Sequence, residues 1–155
     1  MITRLNHAVL WVRDAQRSAE FYTKVLGFEV ATAIGSQAIF LRADGSTNDH
    51  DLGLFTVGER PRSPAQSPGL YHLAWQVNTI DELAGLRTKL VAAGALVGES
   101  DHGVSKSLYA ADPDGIEFEV MWAVPRENWP EGPTTERLDL EAELARWTAV
   151  DTANQ

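Results

Sequence analysis

Apolar and polar positions run through two similar rounds along the chain. Residues 5–12, Leu5-Asn6-His7-Ala8-Val9-Leu10-Trp11-Val12, form a short apolar run of strand length. Asp14 then caps a helix whose apolar positions are Ala15, Ala19, Phe21, Tyr22, Val25 and Leu26, and Gly27 ends it. Strands follow at 28–33, 37–42 and 51–57. Residues 70–77, Leu70-Tyr71-His72-Leu73-Ala74-Trp75-Gln76-Val77, open the second round. Thr79 or Asp81 starts a helix with Leu83, Leu86, Leu90 and Val91, Gly94 ends it, and strands follow at 96–99, 107–111 and 116–122. Each half is therefore β-α-β-β-β, an α+β arrangement of two tandem modules, 2–60 and 69–125. Residues 60–68, with three prolines, read as the linker between them, so that 1–125 forms one domain. Asp112-Pro113-Asp114-Gly115 is a tight turn between the last two strands. Pro125, Pro130 and Pro133 break the pattern, and the 126–155 extension carries a helix over 134–150 with Leu138, Leu140, Leu144 and Trp147.

The repeat carries candidate chemistry. His72 follows His7 by 65 residues, and the same offset carries Glu119 onto Leu54. A duplicated unit thus supplies His7, Leu54, His72 and Glu119 at equivalent inward positions. A lone histidine on a strand is more often structural. Two imidazoles and a carboxylate related by a repeat instead suit a divalent ion with open coordination positions, as in oxygen-using non-haem iron enzymes. Glu117 shares the strand face of Glu119 and is the rival carboxylate. Strand alternation puts His7 with Val9 and Trp11, His50 with Leu52 and Leu54, and Tyr109 with Ser107 and Ala111. His50 and Tyr109 can then face the metal. Trp11, Trp75 and Trp122 are expected in the core or the pocket wall.

The 44% hydrophobic and 23% charged content is ordinary for a globular domain. A formal net charge of −9 argues against nucleic acid as a partner, because phosphates need clustered Lys and Arg. Acidic residues of the extension, Glu131, Glu136, Asp139, Glu141, Glu143 and Asp151, read as a solubility feature. No apolar run approaches membrane-spanning length, so no membrane is expected as a partner, and no signal peptide is read at the N-terminus. The absence of cysteine excludes disulfides and thiolate metal sites and fits a cytoplasmic location.

A duplicated β-α-β-β-β with ligands on first and last strands resembles the vicinal oxygen chelate superfamily, which includes glyoxalase I, fosfomycin- and bleomycin-resistance proteins and extradiol dioxygenases. The resemblance covers roughly residues 2–125 and is nearest to the catechol 2,3-dioxygenase branch. Leu5-Asn6-His7 and Tyr71-His72-Leu73 match the two histidine-ligand strands of that branch. Glu119, seven residues after Asp112, sits at its carboxylate ligand. His50-Asp51-Leu52-Gly53-Leu54-Phe55 resembles the strand led by its acid–base histidine. His102-Gly103 and Tyr109 match its His-Gly and its active-site tyrosine. Every histidine of the chain is accounted for. The chain carries one two-module domain where the best-known catechol enzymes have two.

The resemblance implies Fe(II), with Mn(II) as the other metal that fits the ligands, held by His7, His72 and Glu119. It implies a catechol-type small molecule and O2 as substrates, His50 as acid–base, Tyr109 and His102 as hydrogen-bond donors, and a homodimer, common among small members. An apolar Leu54 counts against glyoxalase chemistry, which normally has a fourth protein ligand there. The alternatives are a metal-dependent isomerase or epimerase that needs no O2, and a drug-binding resistance protein that needs no metal.

Overall fold

The structure, a computed structural model, describes residues 1, 4–59, 70–132 and 134–153, with side chains described as far as residue 148. The expected linker at 60–68 and Pro133 lie outside these residues. The chain divides into two compact units, Met1–Gly69 with Asp112–Asp114, and Leu70–Ala111 with Gly115–Gln155.

The first unit contains β1 (Ala8–Val12), α1 (Ala15–Leu26), β2 (Glu29–Ile34), β3 (Ala38–Arg42) and β4 (Leu52–Thr56). The sheet order is β1-β4-β3-β2, with β1 and β4 parallel and the other pairs antiparallel. Asp14 accepts the N–H groups of Gln16 at 2.8 Å and Arg17 at 3.1 Å, which starts α1. Gly27 ends it at φ 79°, a left-handed conformation that costs glycine little. The helix lies on β3 and β4. Its buried Ala15, Ala19 and Tyr22 and the buried Leu10, Val12, Ile39, Leu41, Leu52 and Leu54 make the core. The Asp112–Asp114 segment also belongs to this unit. Asp114 accepts the Arg13 N–H at 2.7 Å and the Arg13 guanidinium at 3.1 Å, and it pairs with Arg17. The Tyr22 hydroxyl donates to Asp112 at 3.3 Å. Burial first, and then the Asp112 charge, keeps this phenol protonated far above its ordinary range.

One expectation fails here. Leu54 does not share the face of His7. It lies opposite Leu10 and Ile39 and is fully buried on the helix-covered side. Val9 lies opposite Gly53, just as Ala74 lies opposite Glu119 in the second unit. Gly53 is therefore the equivalent of Glu119, and Glu119 follows it by 66 residues rather than 65. The connections differ in length between modules, so no single offset superposes every strand. Glycine, like leucine, offers no side-chain donor at that position.

The second unit contains β5 (Leu73–Val77), α2 (Ile80–Ala92), β6 (Leu96–Asp101), β7 (Ser105–Ala111), β8 (Glu117–Ala123) and α3 (Leu140–Ala153). The order β5-β8-β7-β6 repeats that of the first sheet. Thr79 and Glu82 form a reciprocal capping box, at 3.1 Å and 3.0 Å, which settles the start of α2. The ladder sorts the side chains. Phe118, Val120 and Trp122 pair with Ala110, Leu108 and Lys106 on the helix-covered face, while Glu117, Glu119 and Met121 pair with Ala111, Tyr109 and Ser107 on the other.

The extension folds later in sequence than expected. The helix spans Leu140–Ala153 instead of 134–150, because Asp139 accepts the Ala142 N–H at 3.1 Å and caps it there. Before it, Glu136 forms an isolated antiparallel bridge with Asp101. Several acidic residues of the extension hold structure instead of only solvating it. Lys106, 3% exposed, binds Asp101 at 2.5 Å and Glu143 at 3.3 Å. Trp147 donates to Glu143 at 2.8 Å and packs edge-on against Trp122 at 5.2 Å.

Burial by itself would raise the Asp101 carboxyl, but the Lys106 hydrogen bond, the Gly103 N–H and the charges of Lys106 and His102 hold it below its ordinary range. A carboxyl depressed on folding adds stability above its unfolded pKa of about 4, and that stability is lost as pH falls through the lowered value. The urea midpoint is therefore expected to fall between pH 5 and pH 2 by clearly more in the wild type than in Asp101→Asn. Equal losses would dissociate Asp101 from the acid limb.

Candidate active site

In the first unit His7 stands one residue before β1, on the side of Val9 and Trp11, which are 51% and 69% exposed. Its ring lies 4.6 Å from that of His50. His50 in turn meets Phe40 at 4.9 Å, and Phe55 lies 5.7 Å from both Phe40 and Trp11. Strand alternation is not what turns His50 this way. Leu52 and Leu54 point into the core, and His50 reaches the His7 side from the bend before β4.

Hydrogen bonds orient both rings. Asn48 Nδ2 donates to the carbonyl of Asn6 at 2.8 Å and to Asp51 at 2.7 Å, so its Oδ1 is left to accept from Arg4 at 2.8 Å and Asn6 Nδ2 at 3.2 Å. Asn6 Oδ1 consequently faces His7 Nδ1 at 2.8 Å. An amide oxygen only accepts, so His7 carries its proton on Nδ1 and leaves the Nε2 lone pair open. His50 Nδ1 likewise lies 2.7 Å from Asp49, which leaves its Nε2 free. Asp51 ties the loop together through the Ala43 N–H at 2.8 Å and the Ser46 hydroxyl at 2.9 Å. Burial would raise its carboxyl, but these donors and Asn48 hold it low.

In the second unit His72 stands one residue before β5. Its Nε2 lies 3.3 Å from Glu119 Oε2, while Glu117 Oε1 lies 4.0 Å from Nδ1. Nδ1 is buried and, among the described residues, has no hydrogen-bond partner. Tyr109 lies opposite Glu119 on β7, with its ring 5.8 Å from His72. Burial first, then the charges of Glu119, Tyr71 and Glu117, pushes the Tyr109 phenol above its ordinary value, so it keeps its proton. His102 Nε2 lies 2.8 Å from Tyr109 Oη, and its Nδ1 lies 3.2 Å from Thr135 Oγ1.

The His72–Glu119 pair fits a divalent ion. At 3.3 Å it is longer than the about 2.8 Å of a charge-assisted hydrogen bond. It is close to the about 3.0 Å separating two donors that each sit about 2.1 Å from one ion at a right angle. Among the described residues no group of three or more His, Asp or Glu forms a ready metal cluster. The sequence-derived ligands thus come as His72 with Glu119 in one unit and as His7, beside His50, in the other.

A family model described as the Glyoxalase/Bleomycin resistance protein/Dioxygenase superfamily matches residues 4–120. The chain belongs to this superfamily. It is 36% identical over 152 residues to a protein of Bacillus subtilis (strain 168) named Catechol-2,3-dioxygenase, covering 92% of this chain and 51% of that one. It is 29% identical to the Manganese-dependent 2,3-dihydroxybiphenyl 1,2-dioxygenase of Geobacillus genomosp. 3, over 84% of this chain and 40% of that one. A Metallothiol transferase FosB of Lysinibacillus sphaericus (strain C3-41) is 30% identical over 76% of this chain and 81% of its own length. The chain thus spans about half the length of the dioxygenases it matches. In fold it resembles a glyoxylase/bleomycin resistance protein/dioxygenase domain from Frankia sp. EAN1pec, with a TM-score of 0.65, 22% identity, and coverage of 81% of this chain and 96% of that one.

The superfamily assignment agrees with the resemblance read from the histidine strands. Trp122 is a core residue, as expected, while Trp11 is largely exposed beside Phe55. Sequence reasoning passed over Asn6, Asn48 and Thr135. Asn6 had a local signal, its place beside His7. Asn48 and Thr135 had none, since their partners are distant in the chain. Among the described residues no helix is long and apolar enough to cross a membrane.

Proposed function

We propose that this chain is an extradiol dioxygenase, with Fe(II) or Mn(II) held by His7, His72 and Glu119 and a catechol-type ring as substrate. The reading takes 1–125 as one catalytic domain, acting as a cytoplasmic homodimer. The observation that carries it is the His72–Glu119 pair beside a protonated Tyr109, in a chain 36% identical to a protein named for this reaction. The bound metal would act as a Lewis acid on the diol and as a template for diol and O2. The protein's own groups divide the remaining work. His50 Nε2, left open by the bond to Asp49, takes a proton from a substrate hydroxyl and returns it later. Tyr109 donates a hydrogen bond to a substrate oxygen, and His102 orients the phenol. Phe40, Phe55 and Trp11 offer a flat ring aromatic neighbours. Both atoms of O2 end in the product, a yellow hydroxymuconic semialdehyde.

The test is anaerobic Fe(II) loading followed by a panel of catechols, with O2 added last. Yellow colour with matching O2 uptake supports the reading. Metal-dependent turnover without O2 uptake would favour non-oxidative chemistry, a reading that the 81% coverage of the metallothiol transferase keeps in view.

Asn6→Ala is expected to weaken metal binding about 10- to 100-fold, the usual effect of removing the group that orients a histidine ligand. Titration with a competing chelator reads it. Unchanged affinity would remove Asn6, and with it His7, from the proposed site.

A further inference from the structure

Three groups of the second unit lie in a line: Thr135 Oγ1, the His102 ring and Tyr109 Oη, with contacts of 3.2 Å and 2.8 Å. Thr135 belongs to the extension beyond the duplicated modules, yet its place is tightly set. Asp101 and Glu136 exchange backbone hydrogen bonds of 2.9 Å and 2.8 Å, which brings residue 135 beside residue 102. His102 itself is anchored through its N–H to the Ser105 carbonyl at 2.9 Å. Gly103, at φ 73°, lets the extension approach. A Cβ there would stand 2.6 Å from Thr134 Oγ1 and 2.7 Å from Pro130 Cγ, closer than atoms pack.

A neutral imidazole has one N–H and one lone pair, and a hydroxyl can donate or accept. The line can therefore run in two senses. If Thr135 donates to Nδ1, the imidazole proton is on Nε2 and is donated to Tyr109, and the phenol keeps its own proton for another acceptor. If Thr135 accepts from Nδ1–H, Tyr109 spends its proton on Nε2 and has none left to donate.

We propose that Thr135 is a positioning residue that holds His102 as the Nε2–H tautomer, so that Tyr109 can donate its hydroxyl proton to a ligand atom beside His72 and Glu119. The extension is then part of the site's hydrogen-bond geometry and not only a cover for the sheet. The functional meaning rests on the dioxygenase reading, but the tautomer is a property of the protein alone and is measured without turnover.

The experiment is nitrogen-15 NMR of the histidine rings in the full chain at about pH 8.5, where ordinary imidazoles are neutral. Wild type is expected to show His102 as the Nε2–H form. Thr135→Val should shift the tautomer ratio toward Nδ1–H about fivefold, the effect of losing one hydrogen bond of ordinary strength. Thr135→Ser should restore the wild-type ratio. Retained exchange protection at Asp101 and Glu136 would show the backbone bridge intact in each variant. An Nδ1–H wild type, or a ratio unmoved by Thr135→Val, overturns the proposal. A shifted tautomer in a protein that cleaves no catechol would leave the proposal standing and count against the dioxygenase reading instead.

Discussion

Replacing Glu119 with alanine is expected to abolish both stoichiometric metal binding and ring cleavage, while Glu117→Ala keeps both. The two carboxylates share one face of β8, and composition does not separate them. Their geometry does. Glu119 Oε2 stands 3.3 Å from His72 Nε2, whereas Glu117 Oε1 stands 4.0 Å from the other ring nitrogen. The Glu119 side chain is 13% exposed and that of Glu117 33%, so Glu119 also has less water to replace a lost ion. Losing a group that merely orients a ligand costs about 10- to 100-fold in metal affinity. Losing a charged ligand should cost more than about 100-fold. Metal content after dialysis, read beside O2 uptake with catechol, checks both variants in one preparation. Metal lost from Glu117→Ala and kept in Glu119→Ala would move the ligand to Glu117.

Leu54→Ala is expected to destabilise the protein by about 3 kcal/mol and leave its metal content unchanged. Leu54 is fully buried between Leu10 and Ile39 on the face that α1 covers. Truncating a leucine there removes apolar contacts and leaves a cavity, which typically costs about 2–5 kcal/mol. For a chain of this size that is a fall of roughly 10 °C in melting temperature. A strand slipped by one residue would send Leu54 to the other face, since side chains alternate with a period of two. Leu54→Ala would then barely change the melting temperature and would instead alter ligand binding. Calorimetry together with metal analysis separates the two arrangements.

Much of the fold was legible because its signals are local. Asp14, Thr79 with Glu82, and Gly27 act within one helical turn of the groups they satisfy. The alternation in β7 and β8 sorts Tyr109 and Glu119 onto one face without help from distant residues. His7 and His72 stand at strand entries that the repeat itself exposes. The extension is less legible. Its leucines and Trp147 announced a helix, but Asp139 and the Asp101–Glu136 bridge decided where it begins.

Sequence alone determined the duplicated α+β modules, the helix caps, the superfamily resemblance and the residue types for a metal site, because each follows from spacings of a few residues or from a repeat. Only the tertiary structure decided that Gly53 and not Leu54 is the counterpart of Glu119, that His50 turns toward His7 from a bend, and that Thr135 meets His102. Those outcomes depend on which strand pairs with which and in what register. Register is set by loop lengths and by burial of one whole face, which no local pattern encodes.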